Sequence, residues 1–391
     1  MIGMLMAQAC QDDEERLAPV SYQVLASIEK TLEVRFDDAV AALMEENNIS
    51  DEQLAPYRQV KDMATLRSRA YKAHVITYHT TDPSGHPVVA SGVVYYPKSG
   101  KPKGVIEAIA LDKSKNLCAS KHIANTEVLE GMSGYIVLVA DRIGCGATES
   151  MVVPYFYADN VAQVCVDLRR AATELVRNEY GRSMPSWTMI TGLSLAAPGA
   201  WALARYYHLH SELGVKVSEL WMMGGVYRPM LALQFQLNNK RVDYALIPNA
   251  IYSVNHYDDL GLDLSQVFRG ELATHYEEWC AGYMSLIELS QRLGPDLTQY
   301  LNYDFFVESS DDYQRLCAYV DRLAAPTDWI PDCNIHVYHG RDDAIVPKAC
   351  SDELVTYLQS VGVDVDYVVT DGDHTGCGIA MATDLVKFLY K

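Results

Sequence analysis

The sequence lacks several features that would indicate particular classes of protein. It contains no apolar run long enough to span a membrane and no repeat at the spacing of solenoid proteins. Basic residues are few, since 32 Lys and Arg stand against 51 Asp and Glu, giving a formal net charge of −19. This excess of negative charge repels polyanions and disfavours nucleic acid or an anionic membrane surface as the main partner.

The nine cysteines show no C-x-x-C pair and no Cys/His spacing typical of a zinc site, so no metal site is predicted. Most of them are spread through segments with core-like patterns. An oxidising location would permit disulfides among them, although spacing alone does not pair them, and buried free thiols are the alternative.

The first eleven residues are predicted to be a signal remnant or a disordered segment. The chain begins MIGMLMAQAC and continues with the acidic run QDDEER. An apolar stretch, small residues and a cysteine resemble the end of a bacterial lipoprotein signal, which implies a lipid anchor on Cys10. That resemblance implies a location at the bacterial cell envelope or surface. The alternative is a chance cysteine at the N-terminus and a cytoplasmic protein.

Residues 12–70 are predicted to form an N-terminal helical extension. Three passages show helical periodicity with acidic faces: VLASIEKTLEV, FDDAVAALMEENN and DEQLAPYRQVKDMATL. The β-rich runs AYKAHVITYHTT and HPVVASGVVYYP follow, separated by DPSG, and they predict a hairpin. The hairpin marks the start of a second region.

Residues 71–391 are predicted to form one α/β domain. After the hairpin, short apolar strands such as GVIEAIAL and GYIVLVADRIG alternate with amphipathic helices up to the final helix, GIAMATDLVKFLYK. This alternation is typical of a mostly parallel sheet with helices on both faces. Residues 228–332 break the rhythm and are too many for a structureless loop, so they are predicted to be a folded insertion that caps the site.

The passage TGLSLAAPGAWALAR places Ser194 between a predicted strand and a predicted helix. Gly192-Leu193-Ser194-Leu195-Ala196 resembles the G-x-S-x-G nucleophile elbow with alanine at its last position. The sharp turn requires small residues two positions before and after the serine, and both Gly192 and Ala196 are small. The helix N-terminus would place the backbone N–H of Leu195 where an oxyanion forms. A serine that only caps the helix is the alternative.

A serine nucleophile needs a base and an acid, and two later loops supply them in the expected order. HGRDDAIVP follows the predicted strand NIHVYH and contains Asp342 and Asp343. In similar hydrolases the acid is usually the residue before x-x-V-P, and this resemblance favours Asp343. TDGDHTGCG follows the predicted strand DVDYVV and contains His374. Loops at the carboxyl ends of parallel strands meet at one edge of the sheet, so Ser194, Asp343 and His374 are predicted to converge.

The other histidines and the second oxyanion donor are harder to assign. His336 and His339 lie within a strand pattern and are predicted to be structural, and His208 and His210 close a helix. The second oxyanion donor is expected in Leu111-Asp112-Lys113 after the strand GVIEAIAL, with the backbone N–H of Asp112 as the candidate.

Several passages together resemble the secretory lipases, the group of α/β-hydrolases that includes fungal lipase A: YHTTDPSGHPVVASGVVYYP, GYIVLVADRIGCGATES, DLRRAATEL, GLSLAAPGAWALAR and DWIPDCNIHVYHGRDDAIVP. The likeness runs from about residue 72 to the C-terminus and departs at Ala196, Cys145 and Cys377. It implies an α/β-hydrolase fold with an inserted helical cap, and an aspartate in the oxyanion loop, as at Asp112.

The predicted function is a serine-dependent carboxylic ester hydrolase of the esterase or lipase type. Its substrate would be a small-molecule, lipid or glycan ester, cleaved through an acyl-enzyme without a metal or organic cofactor. Two alternatives remain open. One is a serine peptidase of the prolyl-oligopeptidase type, and the other is a catalytically inactive surface lipoprotein that only binds.

Overall fold

The computed structural model describes residues 16–35, 70–111, 118–123 and 133–390. Within these ranges one mixed sheet contains nine strands in the order β1-β2-β3-β5-β4-β6-β7-β8-β9. The strands are β1 Leu25–Arg35, β2 Ala70–Thr81, β3 Pro87–Pro97, β4 Val105–Ile109, β5 Ile136–Ala140, β6 Trp187–Leu193, β7 Lys216–Met223, β8 Asn334–Gly340 and β9 Asp366–Thr370.

The sheet changes character along its width. On one side of the sheet, β1 pairs antiparallel with β2, β2 with β3, and β3 with β5. From β5 onwards, through β4 and β6 to β9, each strand pairs parallel with its neighbour. Strand β5 lies on one side of β4 and β6 lies on the other, so the direction of winding reverses at β4. In open α/β sheets a ligand crevice forms at such a reversal, outside the carboxyl ends of the strands.

The prediction of a helix over VLASIEKTLEV is wrong, because this segment forms the edge strand β1. It pairs antiparallel with β2, from Leu25 opposite Tyr78 to Arg35 opposite Ala70, with two register irregularities. The strand is anchored at its start by the Glu174 carboxylate, which accepts hydrogen bonds from the N–H groups of residues 23 to 25. These tertiary partners override the local helical periodicity. The other two predicted helices of the extension lie outside the described residues.

Helices cover both faces of the sheet, as predicted. The larger helices of the α/β framework are α1 Ala158–Leu175, α2 Ala197–Leu209, α9 Ala349–Ser360 and α10 His374–Leu389. Helices α1, α2 and α9 share one buried apolar cluster with the sheet, which contains the fully buried Trp201. Helix α10 packs on the opposite face through residues such as Met381 and Leu385. The predicted α/β architecture is confirmed.

The chain between β7 and β8 forms a helical insertion, which we call the cap. Its helices are α3 Pro229–Asn239, α4 Leu246–Tyr257, α5 Leu264–Val267, α6 Leu272–Glu278, α7 Leu286–Leu293 and α8 Asp311–Arg322. The cap has its own apolar core around Trp279 and Leu289. It joins the framework at Tyr155, whose backbone N–H donates to the Ser253 hydroxyl at 2.9 Å and whose hydroxyl accepts from the Asn249 amide at 3.2 Å.

Two properties of the described residues bear on the sequence-based expectations. All eight cysteines within the described ranges are free thiols. Among the same residues, no helix is both long enough and apolar enough to cross a membrane.

Candidate active site

Ser194 lies at a sharp turn between β6 and α2. Its backbone φ is 54°, a left-handed conformation that non-glycine residues rarely adopt. A short 3₁₀ turn, Ser194–Ala196, leads from the strand into the helix. A Cβ atom built at Gly192 would lie 2.8 Å from the Ala196 carbonyl oxygen and 2.8 Å from the Ala200 Cβ. The turn therefore has the backbone strain and the close packing that the elbow pattern predicts.

Asp343 and His374 are hydrogen-bonded to each other. His374 Nδ1 lies 2.6 Å from Asp343 Oδ2. Because the carboxylate only accepts, the imidazole carries its proton on Nδ1 and leaves Nε2 free to act as a base. His374 was predicted in a loop, but it is the first residue of α10. Asp373 caps this helix by accepting a hydrogen bond from the Gly376 N–H at 2.8 Å.

Asp343 is held as a buried carboxylate by several donors. Its Oδ1 atom accepts the backbone N–H groups of Ile345 and Val346, both at 2.9 Å, and the residue is 7% exposed. Burial alone would raise the pKa of Asp343. Hydrogen bonds from His339 and His374, together with the Val346 N–H, outweigh burial and hold that pKa well below its usual range. The carboxylate therefore stays ionised beside His374 at neutral pH.

Gly224 supports the imidazole of His374 and was not recognised from the sequence. It follows β7, has a φ of 54°, and donates its backbone N–H to the Tyr338 carbonyl at 2.9 Å. A Cβ atom at this position would lie 2.7 Å from His374 Cε1 and 3.0 Å from Nδ1. Only glycine fits here without moving the ring. The Gly-Gly pair after the apolar strand WMM is the signal that could have identified it.

The residues on either side of Ser194 pack against apolar clusters that include residues near Asp343 and His374. Leu193 packs against the apolar cluster that contains Cys377 of α10. Leu195 packs against the cluster that contains Val346, in the loop around Asp343. The structure thus brings the three predicted residues to one edge of the sheet, at the carboxyl ends of β6, β8 and β9.

The competing candidates from the sequence lie elsewhere or face away. Asp342 is exposed, whereas Asp343 is buried. His336 lies between Glu219 at 3.1 Å and Asp366 at 3.0 Å, near the start of β8. His208 and His210 pair with surface carboxylates at the end of α2, at 3.5 Å and 3.0 Å.

The predicted oxyanion positions are only partly described. Leu195 is the second residue of the 3₁₀ turn, at the start of the helical segment. Strand β4 pairs with β6 up to Ile109 opposite Gly192, so the chain leaves β4 beside the elbow. Leu111 follows and is 37% exposed, whereas Asp112 lies outside the described residues.

The sheet order, the elbow between β6 and α2, and the helical cap define an α/β-hydrolase fold. Solved structures share this architecture over nearly the whole chain. A provisionally assigned hydrolase from Legionella pneumophila matches with a TM-score of 0.76 and 18% identity, over 94% of this chain and 97% of that one. The rice cell wall degrading esterase LipA from Xanthomonas oryzae, in a ligand-bound form, matches with a TM-score of 0.72 and 18% identity, over 94% and 96%.

Candida antarctica lipase A in its closed state is a more distant match. Its TM-score is 0.54 and its identity 12%, over 92% of this chain and 82% of that one. The predicted likeness to fungal lipase A is therefore confirmed at the level of the fold. No protein-family model and no curated protein sequence matches the chain.

Proposed function

We propose that this protein is a serine-dependent carboxylic ester hydrolase. The observation that carries the proposal is the 2.6 Å hydrogen bond between His374 Nδ1 and Asp343 Oδ2, at the sheet edge where Ser194 occupies its strained turn. Each residue has the chemistry that its role requires: a hydroxyl nucleophile, an imidazole base with Nε2 free, and an ionised carboxylate.

In the proposed reaction, the Ser194 hydroxyl oxygen attacks the ester carbonyl carbon while His374 Nε2 takes the hydroxyl proton. The tetrahedral oxyanion is held by backbone N–H groups, for which Leu195 and Asp112 are the candidates. The carbon–oxygen bond to the leaving alcohol then breaks, and the alcohol takes the proton back from His374. Water attacks the acyl-enzyme with His374 again as the base, which releases the carboxylic acid and restores Ser194.

Asp343 has two roles in this scheme. It fixes the imidazole so that Nε2 is the free nitrogen, and its charge stabilises the imidazolium that forms when the serine proton is transferred. Its strongly lowered pKa supports both roles, because a protonated carboxyl group would lack the charge that stabilises the imidazolium and would be a weaker acceptor for the Nδ1 proton.

The apolar surroundings of Leu195 favour a substrate whose acyl group is apolar. Leu195 and Phe156 pack against the same two apolar clusters, which include Leu246 and Ala250 of α4 and Ala232 of α3. The esterase and lipase that share the fold are named for ester substrates, which favours the same chemistry here.

Hydrolysis of synthetic substrates tests the proposal. Nitrophenyl acetate, butyrate and octanoate, and a prolyl peptide amide, are assayed with the parent, Ser194→Ala and the exposed control Ser211→Ala. We expect ester hydrolysis by the parent and the control, and a loss of at least about 10⁴-fold in kcat for Ser194→Ala. Full activity in Ser194→Ala would contradict the proposal, and preferential cleavage of the amide would favour a peptidase.

The location of the protein in the cell depends on its N-terminus, which lies outside the described residues. We propose lipid attachment at Cys10 on the resemblance of the first residues to a lipoprotein signal. Mass spectrometry of the protein from its native host tests this, because an unmodified peptide that begins at Met1 contradicts it.

A further inference from the structure

His339 is a second histidine in contact with Asp343. It lies near the end of β8, four residues before Asp343, and is completely buried. The sequence pattern indicated only a structural role in a strand. Its imidazole contacts three groups, and these contacts connect α9 with the loop that carries Asp343.

The contacts of His339 determine which of its nitrogens carries a proton. Its Nε2 atom lies 3.0 Å from the Val346 carbonyl oxygen and 3.3 Å from Asp343 Oδ2. Both of these oxygens only accept, so Nε2 carries a hydrogen. It donates that hydrogen to the Val346 carbonyl, and Asp343 Oδ2 lies in close polar contact with the same nitrogen. Its Nδ1 atom lies 2.7 Å from the Ser351 hydroxyl of α9, which can donate to it. Ser351 is itself completely buried.

We propose that His339 is a positioning residue for Asp343, an inference that rests on the proposed function. Its Nε2 atom lies 3.3 Å from Oδ2 of the carboxylate, the same oxygen that contacts His374. It also holds the carbonyl of Val346, whose N–H donates to Oδ1 of that carboxylate. His339 therefore constrains Asp343 both directly and through the loop, and Ser351 keeps the imidazole in the required tautomer.

The electrostatic effect on His374 follows from this arrangement. Apart from burial, which opposes it, the His339 hydrogen bond is the largest of the influences that lower the pKa of Asp343, ahead of that from His374. Without that donor, the negative charge of the Asp343 carboxylate is less compensated and interacts more strongly with His374. The imidazolium form of His374 is then stabilised relative to the neutral base, so the acid limb of the activity profile should move to higher pH.

Other titratable groups face this pair. Asp352 of α9 interacts electrostatically with His339. Cys350 and Cys377 lie near Asp343, and burial raises the pKa of both thiols, to about 12 for Cys350, so both are neutral at the pH of the assay. The acid limb of the pH profile therefore reports His374.

Two substitutions of His339 separate positioning from structural support. The amide nitrogen of a glutamine can reach the position of Nε2, whereas an asparagine amide matches Nδ1 and leaves Asp343 without the donor. We expect His339→Asn to lower kcat/KM about tenfold, mainly through kcat, and to move its acid limb upward by about half a pH unit or more. His339→Gln should restore most of the lost kcat/KM and return the acid limb most of the way to its parent position.

The other histidine of β8 provides the matched control. His336→Asn removes a half-buried hydrogen-bonding ring from the same strand without touching Asp343, so it should lose stability but keep the parent's acid limb. An acid limb for His339→Asn that stays at the parent's pH overturns the positioning role. If His339→Asn does not fold, Ser351→Ala is tested for the same upward shift, and its absence overturns the proposal.

A spectroscopic measurement separates this inference from the proposed function. The Nδ1 proton of His374, in its short hydrogen bond to Asp343, should give a far-downfield proton resonance that needs no substrate. We expect this resonance to shift in His339→Asn and to return in His339→Gln. If the parent protein does not hydrolyse esters, the proposed function is contradicted. If the resonance is unchanged in His339→Asn, the positioning role is contradicted.

Discussion

At the scale of single residues, the turn at Ser194 depends on how little space its neighbours occupy. A φ of 54° at a serine is sustained only where the surrounding packing imposes it. Gly192 lies against the Ala196 carbonyl and the Ala200 methyl group, with no room for a side chain. Ala196, which replaces the usual glycine of the motif, is buried and fits. Position 192, two residues before the serine, therefore restricts side-chain size more than position 196 does.

This difference gives a prediction for two reciprocal substitutions. Gly192→Ala should destabilise the protein by about 1–3 kcal/mol and reduce ester hydrolysis, because the new methyl group pushes against backbone and displaces Ser194. Ala196→Gly, which restores the full motif, should cost about 1 kcal/mol or less and retain activity. Denaturant unfolding and ester assays of both variants measure these effects. Equal stability of Gly192→Ala and the parent would contradict the packing described here.

At the scale of secondary-structure elements, the sequence predicts the α/β framework well but fails at the edge strand. The strands beside the site are short apolar runs bounded by turn residues, so local pattern identifies them. Strand β1 carries apolar residues at helical spacing, and what decides its conformation is distant in sequence. Its pairing with β2 and the bonds from its start to Glu174, about 150 residues away, have no local signal.

Leu25 and Leu32 distinguish a strand from a helix experimentally. Seven residues apart, they would share one face of a helix, but in β1 Leu25 is 3% exposed and Leu32 is 44% exposed. We expect Leu25→Ala to lower the free energy of unfolding by about 2–4 kcal/mol and Leu32→Ala by less than about 0.5 kcal/mol. Denaturant unfolding measures both, and similar losses in the two variants would favour the helix.

Local sequence pattern does not contain contacts between residues that are distant in the chain, and this explains which parts of the site could be predicted. Ser194, Asp343 and His374 each follow a recognisable strand, and their order in the chain is informative. Gly224 and His339 act through contacts with His374 and Asp343, which local pattern does not contain. Asp343 could be preferred to Asp342 from the motif, but the burial that separates them is a tertiary property.

At the scale of the whole molecule, the net charge of −19 opposes compactness through self-repulsion. About 1 M sodium chloride reduces the screening length to roughly 3 Å and should raise the melting temperature. The gain should be smaller in a triple variant, Asp304→Lys, Glu277→Lys and Asp364→Lys, in which exposed carboxylates are replaced. Calorimetry in low and high salt measures both gains. A melting temperature that falls with salt would show that attractive ion pairs dominate instead.

The central claim is that Ser194 is an activated nucleophile, and a fluorophosphonate probe tests it most directly. The probe is added to the parent, Ser194→Ala and Ser211→Ala, and the modified residue is located by peptide mass spectrometry. The account predicts one covalent adduct on Ser194 in the parent and the control, and none in Ser194→Ala. No adduct in the parent, or equal labelling of Ser194→Ala, would contradict it.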